Sequence, residues 1–333
     1  MRPTARQVAE LADVSVATVS YVLSGRDRPV AAGTRKRVLD AARQLGYTPD
    51  QAARSLRRRR TQRVCLVRSS LGGVPADERL ARDLHEMADA HGYSVVTLAV
   101  FSRARARAAA NVLRGGIADA ALVNVTGDHL THDLLAELAA AGLPMVVMRD
   151  ESVPGGCDVV RTPETEACAE AVGHLLSQGR RRVAFLAQRH ELYRDQPVGR
   201  LLGYTMALDR HGVTDRIILS GADDRVSAYR TAAELLAGPD RPDAIFAASD
   251  RAAISVIRAA RDAGLSVPGD LAVVGVGNVD EGLISNPQLS TVGPLRHDYT
   301  DVVRLLFDRL QAEEPLPARE IVRPWTFLRR GSS

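Results

Sequence analysis

The stretch Thr4-Ala5-Arg6-Gln7-Val8-Ala9-Glu10-Leu11-Ala12-Asp13-Val14-Ser15-Val16-Ala17-Thr18-Val19-Ser20-Tyr21-Val22-Leu23 predicts two short helices with a tight break at Asp13-Val14. Thr4 and Gln7 stand at capping-box spacing, and Ser15 is placed to accept a bond from a free backbone N–H of the second helix. Val8, Leu11, Val14, Val19, Val22 and Leu23 supply an apolar seam, which turns the opposite face of the second helix outward. Two helices joined by a short turn, the second free to enter a major groove, make a helix-turn-helix.

Charge is distributed unevenly around this motif. Residues 1–63 hold 14 Arg or Lys against 5 Asp or Glu, a net of +9, while the remainder holds 30 against 35, a net of −5. A basic module gains affinity for a polyphosphate by releasing condensed counterions, and its binding weakens with salt. The run Arg57-Arg58-Arg59-Arg60 alone would equally fit a solvated face, but beside a helix-turn-helix it fits phosphate contact. A third helix is expected from Ala32 to Leu45, with Val38, Leu39, Ala42 and Leu45 on one face and Gly46 as a left-handed cap. Pro49 then opens a short helical candidate over 50–57, marginal in isolation and suited to a hinge that orders against a partner or DNA.

Four motifs together resemble the LacI/GalR family of transcriptional regulators: Val14-Ser15-Val16-Ala17-Thr18-Val19-Ser20, Thr34-Arg35-Lys36-Arg37-Val38-Leu39, Leu45-Gly46-Tyr47-Thr48-Pro49 and Ala53-Arg54-Ser55-Leu56. The likeness runs on to Arg330-Gly331-Ser332. It implies a double-stranded DNA operator of near-palindromic form, bound by a homodimer acting as a repressor, and a small-molecule effector in a cleft between two lobes. Leu56 matches the hinge leucine that wedges into the central minor-groove step. Val16, Ala17 and Tyr21 fall at base-reading positions, whereas Ser15, Ser20 and Thr34 suit phosphates. Thr4, Thr18, Arg26, Tyr47, Ala53, Arg54 and Arg57 complete the expected DNA-contacting set. Tyr21 stands where relatives often place Arg, so the bidentate contact to guanine is lost there. Ala31 stands where a capping Ser is common.

From Arg63 onward short apolar strands alternate with helices. Strands are expected over 64–67, 94–98, 120–123, 145–148, 183–186, 217–219, 244–247 and 271–275, with helices over 80–91, 104–113, 134–141, 166–178, 199–211, 226–236 and 252–263. This alternation predicts an α/β fold with doubly wound parallel sheets covered on both faces, behind the all-α headpiece. The resemblance adds two lobes similar to periplasmic binding proteins, crossing near Arg161–Glu164 and Ser290–Pro294. The expected organisation is a headpiece over 1–48, a hinge over 49–61 and a core over 62–333. Within the core, one lobe takes 62–162 and 292–321, and the other 163–291 and 322–333. Ligands in such sheets sit beyond the carboxyl ends of the strands.

Three residues carry over to that cleft: Arg200, Asp250 and Ser69. The alternative for Arg200 and Asp250 is that they pair with each other across it. Elsewhere the pocket departs from the family. Gly72-Gly73-Val74-Pro75-Ala76 replaces an aromatic loop, Arg149-Asp150 an Asp-Arg pair and Thr162-Pro163 an Asp, while Gly277-Asn278 replaces an acidic run and Ala222 a stacking aromatic. An effector other than a plain hexose, or none, is expected.

No catalytic set, cofactor or metal site is expected. Gly275-Val276-Gly277 lacks the third glycine of a dinucleotide fingerprint, and His129 and His132 join no further ligands. No apolar run would span a bilayer, so no membrane partner is expected, and Met1-Arg2-Pro3 leads into a capped helix without a leader, predicting a cytoplasmic protein. Cys65, Cys157 and Cys168 suit core packing in a reducing compartment. No heptad helix follows the last core segment, which favours a dimer. The competing class, a soluble small-molecule-binding protein or sugar-modifying enzyme with an incidental basic N-terminus, leaves the ordered capping signals of 4–47 unexplained.

Overall fold

In the computed structural model, which describes residues 3–23, 30–48, 60–69, 75–125, 129–150, 153–193 and 196–333, helix α1 (Ala5–Ala12) starts at Thr4 in a complete capping box. The Thr4 hydroxyl accepts from the Gln7 N–H at 3.4 Å, and the Gln7 side chain accepts from the Thr4 N–H at 2.9 Å. Asp13 ends the helix with a left-handed φ of 52°. Ser15 accepts from the Thr18 N–H at 3.1 Å and so caps α2 (Val16–Leu23). Helix α3 (Ala32–Leu45) has no side-chain cap at Ala31 and closes at Gly46, whose φ is 62°.

The three helices bury Val8, Ala9, Ala12, Val19, Val22, Val38, Ala41 and Ala42, with Val14, Leu23 and Tyr47 packed against them. Two residues expected on buried faces lie elsewhere: Leu11 of the seam is 48% exposed and Leu39 of the third-helix face 38%. At 100° per residue the buried faces centre on Val8, Ala9 and Ala12 and on Val38, Ala41 and Ala42, which leaves both leucines about 105° away from them. The hinge candidate over 50–57 lies outside the described residues.

Met1–Gln62 forms one unit and Arg63–Ser333 the other. In the second unit, strands β1 (Arg63–Arg68), β2 (Ser94–Ala99), β3 (Ala120–Asn124), β4 (Met145–Met148), β5 (Asp158–Arg161) and β11 (Glu320–Val322) form a parallel sheet in the order β11-β5-β4-β3-β1-β2. Alternate residues of β1 serve its two faces. Cys65 and Val67 pack with α5 (Arg103–Arg114) and α6 (His132–Ala140), and Val64 and Leu66 with α4 (Pro75–Ala90) and α13 (Thr300–Gln311).

The second sheet runs β12-β10-β9-β8-β6-β7, from β6 (Val183–Ala187), β7 (Ile217–Ser220), β8 (Ala244–Ala247), β9 (Ala272–Val276), β10 (Ser290–Gly293) and β12 (Thr326–Leu328). Only the β10–β12 pair is antiparallel. Helices α7 (Thr165–Ser177), α8 (Arg189–Leu192), α9 (Gly199–Arg210), α10 (Arg225–Ala237), α11 (Asp250–Asp262) and α12 (Asp280–Ile284) accompany it. All three cysteines are free and buried.

The chain passes between the lobes three times: from β5 to α7, from β10 to α13, and from β11 to β12. The first lobe is locked after the fact by Asp158, which is fully buried. Its carboxylate accepts from Arg309 at 2.6 Å and from the Arg319 backbone at 2.8 Å and guanidinium at 2.7 Å, joining β5 to α13 and to the approach of β11. Burial would raise this carboxyl, but the bonds from Arg309 and Arg319 outweigh it and hold it below its ordinary value. Asp158→Ala should therefore cost about 3–5 kcal/mol in urea unfolding, because it leaves the buried Arg309 guanidinium without its anion and Arg319 with Asp308 alone. In the native protein the stability that Asp158 contributes is present at neutral pH and is lost as the pH falls through its depressed folded value.

Candidate nucleic-acid interface and interlobe cleft

On α2 the inward positions are Val19 and Val22, so Ala17, Ser20 and Tyr21, at i, i+3 and i+4, share the opposite face. Val16 is 47% exposed, Ser15 and Ala17 are exposed, and Thr18, Ser20 and Tyr21 are partly so. Thr4 and Ser15 are engaged as caps, and the Thr4 hydroxyl also donates to the Gln7 side-chain oxygen at 3.2 Å while the Ser15 hydroxyl bonds to that of Thr18 at 2.9 Å, so a phosphate contact by Thr4 requires exchange of its present bond. Thr34 lies in the first turn of α3, partly exposed. Tyr47 packs on the headpiece core, which anchors the chain leaving α3. Arg26, Ala53, Arg54, Leu56 and Arg57 lie outside the described residues.

At the carboxyl ends of the first sheet, Arg68 closes β1 and Asn124 closes β3, and both reach Asp77 at 2.9 Å. Arg68 is 6% exposed. Burial lifts the Asp77 carboxyl above its ordinary value against the pull of Arg68 and Asn124. Ser69 follows directly, partly buried. The Gly72-Gly73-Val74 part of the substituted loop lies outside the described residues.

In the second lobe Arg200 is the second residue of α9. Its Nε donates to Glu164 at 3.0 Å and its Nη1 to the Ala248 carbonyl at 2.5 Å, and its guanidinium lies 5.7 Å from the Trp325 ring centroid. Gly199 permits this approach: its φ is 53°, and a Cβ there would stand 2.6 Å from the Glu164 carboxylate. Asp250 opens α11 and is 1% exposed. It accepts from Thr291 at 2.5 Å and from the Val279 N–H at 2.8 Å. Arg200 and Asp250 thus bond to separate partners and not to each other. Ala222 is 2% exposed and packs in the lobe core, so it offers no stacking surface.

Three participants escaped sequence reasoning. Glu164 enters the sequence reading only as a crossover residue, and Trp325 and Glu191 do not enter it at all. Glu191 is 8% exposed and accepts from the Gln188 N–H at 2.7 Å. Burial pushes its carboxyl up to about 7 despite the Arg200 guanidinium, and burial likewise raises Asp250 to about 6. Among the described residues no group of three or more His, Cys, Asp or Glu side chains is placed to hold a metal ion, and no helix is long and apolar enough to cross a membrane.

The profile of bacterial regulatory proteins of the lacI family matches residues 4–50, the span of the three headpiece helices, and that of the periplasmic binding protein-like domain matches 172–333. The chain belongs to the LacI family. Catabolite control protein A of Priestia megaterium is 28% identical over 333 residues, 97% of each chain. The HTH-type transcriptional repressor CytR of Escherichia coli (strain K12) is 29% identical over 317 residues, 93% of this chain and 90% of its own. Among solved structures, a complex of the transcriptional regulator CelR with cellobiose matches with a TM-score of 0.68 at 29% identity, covering all of both chains. This LacI-family chain is accordingly a DNA-binding transcriptional regulator with a ligand-binding type of core domain.

The raised Glu191 carboxyl gives the regulator a measurable acid signature. Between about pH 4.5 and 7 the folded chain keeps a proton that the unfolded chain has released, so Glu191 stabilises less as the pH rises through that window. Glu191→Gln retains the backbone cap and removes the titration. The stability difference between native protein and variant should fall across this window with a slope approaching about 1.4 kcal/mol per pH unit, read by denaturant unfolding at each pH.

Proposed function

We propose that this regulator is a cytoplasmic homodimeric repressor that binds a near-palindromic operator, one half-site per headpiece. The observation that carries this is the outward face of α2, where Ala17, Ser20 and Tyr21 line up beside exposed Val16 on a helix fixed by the Ser15 cap. A recognition helix presented in this way reads bases in the major groove, and two-fold protein symmetry is matched by symmetry in the site. Val16, Ala17 and Tyr21 read base edges, while Thr4, Ser15, Thr18, Ser20 and Thr34 position the helix on phosphates. Tyr21 gives an operator that lacks the Arg-to-guanine contact at its position.

The hinge supplies the second element of specificity. Leu56 inserts into the central minor-groove step, with Ala53, Arg54 and Arg57 beside it, and Arg26 and Tyr47 add backbone contacts. The cleft holds a small-molecule effector in contact with Arg200, with Ser69 on the opposite lobe and Asp250 shaping the floor from within. Support comes from the position of these residues at strand carboxyl ends. The missing aromatic at Ala222 favours a compound other than a plain hexose.

Gel-shift titration on DNA from the region upstream of its own coding sequence tests the reading. Binding should be specific over competitor DNA and should weaken steeply with salt. Leu56→Ala should lower specific affinity by about tenfold or more, the scale of a lost kink, while nonspecific binding persists. Retention of full specific affinity on deletion of residues 1–60 would overturn the proposal.

A further inference from the structure

Three segments join the lobes, and one guanidinium touches two of them. Arg200 meets Glu164 in the first passage at 3.0 Å and lies 5.7 Å from the ring of Trp325 in the third, while its bond to the Ala248 carbonyl fixes it to the end of β8. The first and third passages run side by side. The Arg323 N–H donates to the Arg161 carbonyl at 2.8 Å and the Trp325 N–H to the Pro163 carbonyl at 3.4 Å, which continues the β5–β11 pairing beyond the sheet. Arg323 brings in the second passage: its guanidinium lies 5.0 Å from the Tyr299 ring and donates to Asp301 at 2.7 Å and to the Asp298 carbonyl. A displacement of Arg200 therefore disturbs the first and third passages directly, and the second is held to the third by Arg323, two residues before Trp325.

We propose that Trp325 and Glu164 are positioning residues, holding Arg200 in the arrangement that favours specific DNA binding, and that a ligand rich in hydrogen-bond acceptors relieves binding by drawing Arg200 away from them. This deepens the effector reading given above and rests on it. The chemistry is suited to the task. A guanidinium carries five N–H donors in a rigid fork and also stacks on an aromatic face, so one group can serve a carboxylate, a carbonyl and an indole together. A ligand that competes for those donors must loosen the remaining contacts, because the fork moves as a unit. Trp325 is the only tryptophan of the chain, so the emission of the folded protein reports the surroundings of this one indole, which include the Arg200 guanidinium.

The test uses the full chain, with no ligand added, in two arms. In the optical arm, Arg200→Gln should change the emission of the folded protein relative to the native chain, since the cation over the indole is gone; identical spectra would overturn the proposal. In the DNA arm, on the upstream fragment, Arg200→Gln and Trp325→Leu should each weaken specific binding by about fivefold or more. The double variant should be no weaker than the worse single one, and Trp325→Phe, which keeps an aromatic face, should stay within about twofold of the native chain. Additive losses, or full affinity in Trp325→Leu, would overturn it. Should Trp325→Leu fail to fold, the cycle of Glu164→Gln with Arg200→Lys takes its place with the same expected non-additivity. A native chain that shows no specific binding to the fragment defeats the proposed function, and the optical arm still decides the Arg200–Trp325 contact on its own.

Discussion

Neither sheet of the core is finished by a continuous run of chain. The first waits for β11, which arrives after β6 to β10 of the second, and the second waits for β12 from beyond that. Late strands need an anchor, and Asp158 provides it by gathering Arg309 and Arg319 around a carboxylate sealed from water. A buried ion pair of this kind contributes little over a well-packed apolar alternative, but it fixes which strand arrives where, and a broken one is severely destabilising. The interleaving makes the lobes separate in packing and inseparable in connectivity. Any change in their relative angle must be absorbed by three short segments.

Those segments are where the polar chemistry concentrates. Asp250 holds β10 through Thr291 and the start of α12 through Val279. Asn278, at a left-handed φ of 52°, accepts from Arg330 and donates to the Pro294 carbonyl, and its own carbonyl is bonded by His297. A small polar side chain tolerates that backbone conformation where a branched one would not. Asp250, proposed above for the effector cleft, is thus itself one of the groups that hold the crossovers.

The headpiece was legible almost residue by residue because its signals are local. Thr4 with Gln7, Ser15 and Gly46 announce helix ends through bonds to neighbours a few positions away. The error lay in counting leucines as core: Leu11 and Leu39 are large and apolar, yet each is turned away from the buried face, which valines and alanines fill. In the core the longer strands were plain from their continuous apolar runs. Strands β5, β10, β11 and β12 escaped notice: each mixes polar or glycine residues into three or four positions, whereas β4 and β8, equally short, are apolar throughout. Helix α13 carries a clear period in Val302, Val303, Leu305, Leu306 and Leu310 and could have been found. The cleft was least legible, since Glu164, Glu191 and Trp325 meet Arg200 from separate parts of the chain and share no spacing that a sequence pattern would reveal.

The eight residues buried at the centre of the headpiece comprise four valines and four alanines. So little hydrocarbon withdraws only modest surface from water, whereas each lobe encloses leucine and valine in quantity together with phenylalanine, Phe307 in the first and Phe185 and Phe246 in the second. Heating should thus disengage the protein from its operator before the larger body melts, giving two successive transitions and a regulator whose grip on the genome is thermally the weakest thing about it.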